Sequence, residues 1–294
     1  MLKKNNSVTH KSFAYLLLFL ILSSCDIINP EEMIPSYIQV DEFQLTTNEA
    51  IQGSNTHQIT DVWAFVNGDA LGVFELPATI PILAEGTQNI TLFAGIRENG
   101  LRSTPVIYPM YDRYEISLNL VPDEVNLITP SIEYLPNSIF VLTEDFEGDN
   151  ILLEGINRTT NPTQVQYGNG AGSIFLMEEI AEVTSIPTFI DLPTSGGSPV
   201  YLELDYRTNV ELEVGLIGFD VNTGTQATNY KVILCPITNW NKVYISFQED
   251  LELSQLDSYQ LAFRTSTNDT GCGGVSIDTP ETLFDNIKLI RFQP

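Results

Sequence analysis

The chain has 294 residues and a formal net charge of −25, from 13 Lys and Arg against 38 Asp and Glu. So acidic a surface repels phosphate backbones, which excludes nucleic acid as an expected partner. Apolar residues make up 43% of the chain, so it has enough hydrophobic material for one or two folded domains. Its three cysteines cannot all pair within the molecule, and the odd one needs a separate explanation.

The N-terminus has the plan of a signal peptide. An apolar run at residues 13–22 follows three basic residues, and no acidic residue precedes Asp26. The run is too short to cross a bilayer, since a spanning helix takes about 20 apolar residues. The basic residues of this leader are Lys3, Lys4 and Lys11.

The end of this leader carries a second signal, the sequence LSSC at residues 22–25. It resembles the lipobox of bacterial lipoproteins, whose cysteine is acylated and becomes the first residue of the mature chain. The resemblance implies a signal peptide at residues 1–24 and acyl chains such as palmitate on Cys25. It also implies an outer-membrane location, on the periplasmic or the cell-surface side. An ordinary secretory leader that contains a cysteine is the alternative.

The mature chain predicted from this site is more acidic than the precursor. Removal of the leader takes away three lysines and no acid, so the net charge becomes −28. Acyl chains anchor such a protein without a transmembrane helix. Residues 25–36 contain two prolines and three acidic residues, and we interpret them as the lipidated tether.

The rest of the chain predicts an all-β protein. Short alternating or β-branched runs recur between Gly, Asn, Asp and Pro clusters, and no long stretch has helical spacing. Two Asn-Gly pairs predict β-hairpins, because tight turns need residues that accept positive φ angles. The hairpins join residues 62–66 to 70–74 across Asn67-Gly68, and residues 90–97 to 101–107 across Asn99-Gly100.

The first predicted domain spans residues 37–120. Its segment at residues 65–100 begins FVNGDALG and resembles PEGA-like and related immunoglobulin-like β-sandwich modules of bacterial envelope proteins. The resemblance implies a spacer module without catalytic residues. Within it, Trp63 and Phe65 alternate on one hairpin strand, and we expect both rings to face the sandwich core.

A connection and a larger second domain follow. Residues 121–137 contain three prolines and three acidic residues, which favours a semi-extended linker. Residues 138–294 suit a jelly-roll β-sandwich. The fold class predicted from the whole chain is therefore two β-sandwich domains, immunoglobulin-like or PEGA-like and then jelly roll, after a lipoprotein signal peptide. The clearest strands of the second domain lie at residues 201–206, 210–219, 229–234, 242–247, 259–264 and 284–292.

Three short motifs carry a resemblance for the second domain: EDFEG at residues 144–148, NWNKVYI at 239–245 and FDNIKL at 284–289. They resemble the first, middle and last strands of galactose-binding-like jelly rolls, many of which are carbohydrate-binding modules. The resemblance implies a glycan ligand. It also implies a structural calcium ion held by Glu147 and Asp285, with Glu144 or Asp145 nearby. The alternative is that Asp285 caps a turn.

Carboxylates in two neighbouring strands form another candidate site. Glu203 and Asp205 share one face of the first strand, and Glu211 and Glu213 share one face of the next. If these strands pair, like charges lie side by side unless solvent or a cation screens them. The alternatives are a solvated outer face and a site for a hard cation.

Aromatic residues are the candidates for sugar contacts. Trp240 and Tyr206 are the ligand-binding candidates of the jelly roll, with Tyr167 and Tyr230 as further possibilities. Stacking on a pyranose ring requires an exposed aromatic face. The alternative for Trp240 is that it packs at the start of its strand.

Two cysteines and one histidine complete the inventory of the mature chain. Cys235 and Cys272 either form a disulfide, which closes a loop with 36 intervening residues, or remain as buried thiols. A lone His57 rules out a metal site with several histidines, and we expect it to be a solvated loop residue.

Together these observations predict a non-catalytic, lipid-anchored envelope protein whose jelly roll binds a ligand, with a glycan favoured. Its partners are the membrane, through the acyl chains, and a glycan. The alternative is an accessory protein-interaction subunit of an outer-membrane assembly, export or transport complex. A hydrolase that uses two carboxylates is a further alternative.

Overall fold

The computed structural model of this protein describes residues 32–175, 180–267, 272 and 279–293. The predicted signal peptide, Cys25 and tether residues up to 31 lie outside the described residues. Within the described part, no helix is long and apolar enough to cross a membrane.

The strands and the helix of the N-terminal module lie between residues 36 and 133. Its described elements are β1 (Ser36–Val40), β2 (Gln44–Thr46), α1 (Glu49–Gln52), β3 (Asp61–Val66), β4 (Asp69–Glu75), β5 (Ala78–Ile82), β6 (Gly86–Arg97), β7 (Pro105–Ile107), β8 (Tyr114–Leu120), β9 (Val125–Ile128) and β10 (Ser131–Glu133). The first predicted hairpin is confirmed, since β3 pairs antiparallel with β4. The second is confirmed in part, since β6 pairs antiparallel with β7, but β7 starts at Pro105 and not at position 101. Both Asn-Gly pairs have positive φ angles, as their turns require.

Three sheets make up this module. One has the order β4-β3-β6-β7, with β8 also paired to β6, and two smaller ones have the orders β5-β1-β9 and β10-β2. The predicted linker at residues 121–137 is therefore wrong. It contains β9 and β10, which run parallel to β1 and β2. Ile128, Ile132 and Tyr134 of this segment are buried in the module core, so the segment is part of the fold.

The C-terminal module spans residues 138–292. Its described elements are β11 (Ser138–Glu144), β12 (Leu153–Glu154), β13 (Asn157–Thr159), β14 (Ala171–Phe175), β15 (Ile180–Ser185), β16 (Val200–Thr208), β17 (Glu211–Phe219), β18 (Gln226–Leu234), β19 (Ile237–Ser246), α2 (Gln248–Ser254), β20 (Ser258–Ser266) and β21 (Glu281–Phe292). The six strands predicted here are all present, and the prediction of an all-β chain is confirmed.

Two sheets face each other in the C-terminal module. The first has the order β13-β14-β21-β16-β19, with β11 also paired to β21. The second has the order β12-β15-β20-β17-β18. A hydrophobic core lies between them, so the module is a jelly-roll β-sandwich.

Strand β16 is buried on both of its faces. Leu202 and Leu204 point into the jelly-roll core, whereas Tyr201 belongs to the core of the N-terminal module. Because successive side chains of a strand point to opposite faces, Glu203 and Asp205 point the same way as Tyr201. The first sheet of the jelly roll is thus covered by its own partner sheet on one side and by the N-terminal module on the other.

A cluster of tyrosines fills the contact between the modules. Tyr108, Tyr111 and Tyr134 of the N-terminal module meet Tyr201 and Tyr244 of the jelly roll. Edge-to-face ring pairs with centroid separations between 4.6 and 5.1 Å connect these rings. Such pairs add about 0.5–1.5 kcal/mol each beyond the burial of their area. The two modules therefore share one continuous packed interface.

Candidate functional site

A cleft of about 520 Å³ lies at the junction of the two modules. Its volume falls within the ~300–1,000 Å³ typical of small-molecule pockets. Polar side chains from both modules line it: Gln58, Thr60, Glu75, Arg97 and Arg102 of the N-terminal module, and Asn241 and Lys242 of β19.

The second Asn-Gly turn fixes one wall of the cleft to the jelly roll. The backbone N–H of Asn99 donates to the carbonyl oxygen of Tyr244 at 2.8 Å. In return, the backbone N–H of Ser246 donates to Asn99 Oδ1 at 3.0 Å. Both interactions hold the turn on β19, so Arg97 and Arg102 on either side of it are positioned at the cleft.

An ion-pair cluster orients Arg97. Its Nη2 atom lies 2.9 Å from Asp61 Oδ1 and 3.7 Å from Glu75 Oε1, and its Nη1 donates to the carbonyl oxygen of Arg102. Gly95 stands opposite Asp61, and a Cβ atom at Gly95 would lie 2.8 Å from that of Asp61. The glycine leaves room for the Asp61 side chain, which holds the guanidinium in place.

An aromatic face continues from this ion-pair cluster along the same sheet. Strand alternation places Trp63 and Phe65 on the same side of β3 as Asp61, and Phe93 of β6 stands opposite Trp63. The rings of Phe65 and Phe93 meet edge to face at 5.5 Å, and all three aromatic side chains are half-buried. The prediction that Trp63 and Phe65 face the core is wrong. The residues of β3 that face the core are Val62, Ala64 and Val66.

The four carboxylates predicted on paired strands do not come together. β16 belongs to the first sheet of the jelly roll and β17 to the second, so the assumed pairing is wrong. Glu203 and Asp205 are fully buried between the modules, which also excludes a solvated outer face for them. Glu203 accepts hydrogen bonds from the hydroxyls of Tyr108 at 2.8 Å and Tyr134 at 2.9 Å.

Two buried lysines lie near these acids, and one of them, Lys242, forms ion pairs with both. Lys242 Nζ lies 3.3 Å from Asp205 Oδ1 and 3.5 Å from Glu203 Oε2. Burial opposes its charge, but the two carboxylates outweigh burial and raise the pKa of Lys242. Lys288 Nζ instead donates to the carbonyl oxygen of Ser54 at 2.6 Å and to the Tyr134 hydroxyl at 3.2 Å. Burial lowers the pKa of Lys288 to about 8.

Glu213 lies on the outer face of the second sheet. It forms an ion pair with Arg264, whose guanidinium lies 4.4 Å from the ring centroid of Tyr230. The Tyr230 hydroxyl donates to Glu182 Oε1 at 3.1 Å. Burial, and next the charge of Glu182, raise the pKa of Tyr230 to about 12. This tyrosine is thus engaged by neighbouring charged side chains.

Glu144 and Glu147, two of the carboxylates predicted to bind calcium, accept hydrogen bonds from backbone N–H groups. Glu144 accepts from Phe146 N at 2.7 Å and Leu152 N at 2.6 Å. Glu147 accepts from the backbone N–H groups of Asn169 at 2.6 Å and Gly170 at 3.0 Å. The contacts of Glu147 hold the segment that follows β11 against the loop that precedes β14, whereas those of Glu144 stay within that segment.

The third predicted ligand, Asp285, lies in β21 and is fully buried. It accepts from the backbone N–H groups of Asn286 at 2.8 Å and Tyr167 at 3.3 Å. Burial raises its pKa to about 8, and the charges of Asp205 and Glu147 act in the same direction. Among the described residues, no three His, Cys, Asp or Glu side chains are grouped as a metal site. Calcium binding therefore stays a prediction.

The predicted aromatic ligand residues of the jelly roll differ in exposure. Tyr206 is buried in the module core, so its ring offers no face to a ligand. Trp240 is half-buried, and the guanidinium of Arg207 lies 5.8 Å from its ring centroid. Tyr167 is exposed, and its hydroxyl donates to Glu49 Oε1 at 3.2 Å.

The remaining predicted positions are a disulfide and a histidine. Cys235 and Cys272 are joined by a disulfide, with their Cα atoms 5.4 Å apart. His57 is half-buried next to the module junction. Burial, and next the positive charge of Lys242, lower its pKa. It is therefore less solvated than the sequence led us to expect.

Several residues of the cleft carried no signal in the sequence. Gln58, Thr60 and Arg102 lie in connecting segments without a motif, and they meet Asn241 only because the modules pack together. The aromatic face did carry a signal, since Trp63 and Phe65 alternate on a strand. The sequence did not indicate on which side of the sheet these two rings lie.

The described residues define an all-β protein made of a β-sandwich and a jelly-roll β-sandwich that pack through a tyrosine-rich interface. No family model and no curated protein matches the sequence.

Among solved structures, the chain is similar to carbohydrate-binding modules of the β-sandwich type. One carbohydrate-binding module of the β-sandwich superfamily is 14% identical, with 78% of this chain and 84% of that chain covered and a TM-score of 0.34. A family 11 module of a Clostridium thermocellum cellulosomal cellulase is 13% identical, with coverages of 51% and 93% and a TM-score of 0.34. A C. thermocellum xylanase with its family 22 module is 12% identical, with 53% of this chain and only 28% of the xylanase chain covered and a TM-score of 0.39. At these values the comparisons assign no ligand to this chain.

Proposed function

We propose that this protein is a non-catalytic, lipid-anchored envelope protein that binds a glycan at the junction of its two modules. The observation that carries the proposal is the continuity of the polar cleft with an aromatic face. Arg97 lines the cleft, and Trp63 and Phe93 follow it on the same side of the same sheet. Sugars present hydroxyl groups at their edges and apolar C–H faces, and this surface offers partners for both.

The polar part of the surface suits sugar hydroxyls. Asn241 contributes an amide, Thr60 a hydroxyl, and Arg97 and Arg102 contribute guanidinium groups. Among the described lining residues, Glu75 is the single carboxylate, and glycoside hydrolysis takes two. This donor set supports binding rather than cleavage.

The test is a glycan array, followed by titration of the full chain in detergent with any polysaccharide that binds. We expect Trp63→Ala and Arg102→Ala each to weaken binding about tenfold, a loss of ~1.4 kcal/mol. Arg264→Ala is the matched control, because Arg264 pairs with Glu213 on the outer face of the second jelly-roll sheet, away from both the cleft and the aromatic face. Trp240→Phe tests the jelly-roll tryptophan in the same assay.

Two results would refute this site. One is the absence of binding to any polysaccharide on the array. The other is binding that survives Trp63→Ala with its affinity unchanged while the variant keeps its circular dichroism spectrum. If Arg264→Ala weakens binding as much as Arg102→Ala, the contact is a general charge effect and not a site in the cleft.

The leader supports the proposed lipid anchor, through its basic start, its apolar run and the LSSC motif that ends at Cys25. We expect Cys25→Ser to abolish labelling by a palmitate analogue and to release the protein from the membrane fraction. Cys235→Ser is the matched control and should leave labelling intact. Labelling that persists in Cys25→Ser would contradict the anchor.

A second candidate function is a subunit that docks on an outer-membrane protein. It is favoured by an apolar surface at the sheet β5-β1-β9, where Leu83, Val125 and Leu127 are 65%, 56% and 66% exposed. Cross-linking in intact membranes should capture one membrane protein, and Leu127→Glu should abolish the capture. Capture that is unaffected by Leu127→Glu would contradict this candidate.

A further inference from the structure

Three buried side chains at the module interface are arranged for a reaction with one another. Lys242 of β19 stands directly opposite Asp205 of β16, and Lys242 Nζ lies 3.3 Å from Asp205 Oδ1. Glu203 Oε2 lies 3.5 Å from the same nitrogen. The Lys242 side chain is 3% exposed, and those of Glu203 and Asp205 are fully buried. An amine and a carboxyl group are thus held in contact away from bulk water, which favours their condensation.

The second carboxylate oxygen of Asp205 has two hydrogen-bond donors. Asp205 Oδ2 accepts from Thr56 Oγ1 at 2.7 Å and from Asn286 Nδ2 at 2.9 Å. Donors aimed at an oxygen stabilise the negative charge that forms there when a nucleophile attacks the adjacent carbon. Asp205 Oδ1 is the oxygen nearer to Lys242 and is free of these two donors.

Glu203 is held in a position to carry protons. Its Oε1 accepts from the hydroxyls of Tyr108 at 2.8 Å and Tyr134 at 2.9 Å, while its Oε2 faces Lys242. A carboxylate in contact with a buried ammonium group is a base for that ammonium, and once protonated it is an acid for a departing oxygen.

We propose that Lys242 and Asp205 form an intramolecular amide bond, with Glu203 as the catalytic residue that transfers protons. Glu203 takes one proton from the Lys242 ammonium group, and the freed nitrogen attacks Cγ of Asp205. The Nζ–Cγ bond forms and the Cγ–Oδ1 bond breaks. Oδ1 leaves as water with two of the three ammonium protons, one of them delivered by Glu203. One proton stays on the amide nitrogen, so the step needs no oxidant, reductant or co-reactant.

The second buried lysine provides an internal control. Lys288 Nζ donates to the carbonyl oxygen of Ser54 and to the Tyr134 hydroxyl. It faces a backbone oxygen and a phenol, neither of which can condense with it. The amide bond is therefore specific to Lys242, and it would join β16 to β19 on the face that packs against the N-terminal module. This inference does not depend on glycan binding.

The test is mass spectrometry of the folded full chain after reduction of its disulfide. A tryptic digest should contain residues 159–207 joined to residues 232–264, with a mass lower by one water than the sum of the two peptides. Trypsin should not cut after Lys242. Tandem fragmentation should assign the branch to Lys242 and Asp205.

Variants distinguish the amide bond between Lys242 and Asp205 from any other modification that lowers the mass by one water. Lys242→Arg and Asp205→Ala should restore the unbranched peptides, Glu203→Gln should reduce the branched fraction at least tenfold, and Lys288→Arg should keep it. Unbranched peptides from the folded wild-type chain would overturn the proposal, and so would a water loss that fragmentation places elsewhere. The wild-type measurement decides the matter even if a variant fails to fold.

Discussion

Asp285, which stands opposite Asp205 on the first sheet of the jelly roll, gives the sharpest test of the electrostatics of the buried carboxyl groups. Its carboxyl group is fully buried, and burial raises its pKa from 3.8 to about 8. Between these two values the folded state keeps a proton that the unfolded state releases. The contribution of Asp285 to the stability of the protein therefore falls as pH rises from ~4 to ~8, by up to ~1.4 kcal/mol per pH unit.

The substitution Asp285→Asn removes this dependence, because an amide does not ionise. Over the whole window the rise in pKa corresponds to at most ~6 kcal/mol, and local relaxation reduces that ceiling. We expect the variant to be more stable than the wild type by ~2 kcal/mol or more at pH 8.5. At pH 4 we expect it to be slightly less stable, because an amide has one acceptor oxygen for two backbone N–H groups.

The assay is urea unfolding in EDTA at several pH values, followed by circular dichroism and tryptophan fluorescence. EDTA removes calcium, which would otherwise neutralise the carboxylate. Asp69→Asn is the control, because Asp69 is exposed at the first hairpin turn. A stability difference between Asp285→Asn and the wild type that stays constant from pH 4 to pH 8.5 would refute the reasoning.

Three further predictions address packing, the disulfide and calcium. Gly215→Ala should destabilise the protein by ~2 kcal/mol or more in urea unfolding, because the new Cβ would lie 2.0 Å from a backbone carbonyl oxygen. Gly148→Ala is the control and should be neutral, because the atom nearest to its new Cβ is 3.9 Å away. Equal effects would contradict this. Reduction of the Cys235–Cys272 disulfide should lower Tm with a loss of ~2–4 kcal/mol, and an unchanged Tm would contradict it. Millimolar CaCl2 should raise the Tm of the wild type but not that of Asp285→Asn. An equal rise in both would locate any calcium elsewhere.

Local turn chemistry explains why the hairpins could be predicted from the sequence. Asn67-Gly68 and Asn99-Gly100 each supply the positive φ angles of a turn, although the second turn is also held on β19 by its hydrogen bonds with Tyr244 and Ser246. By contrast, β9 and β10 lie in a proline-containing segment whose pairing partners, β1 and β2, are about 90 residues earlier in the chain. Nothing local to residues 121–137 indicated that pairing.

The direction of side chains was harder to predict than the strands themselves. In β3 both faces carry apolar residues, so alternation alone did not decide whether Trp63 or Val62 faces the core. In β16 the charged pair Glu203 and Asp205 indicated a solvated face, because buried carboxylates are rare unless they are paired. Their partners Lys242 and Tyr134 come from strands and modules distant in sequence, so their burial could not be inferred locally.

The shared tyrosine interface also bears on how this chain can be divided. A fragment that starts at residue 138 would expose Tyr201 and Tyr244 to water and leave Glu203 without its tyrosine donors. We expect such a fragment to aggregate, although sequence patterns alone suggest a jelly roll that stands by itself. The two halves are thus not interchangeable building blocks: each supplies part of the other's interior, and they would have to be inherited as one piece.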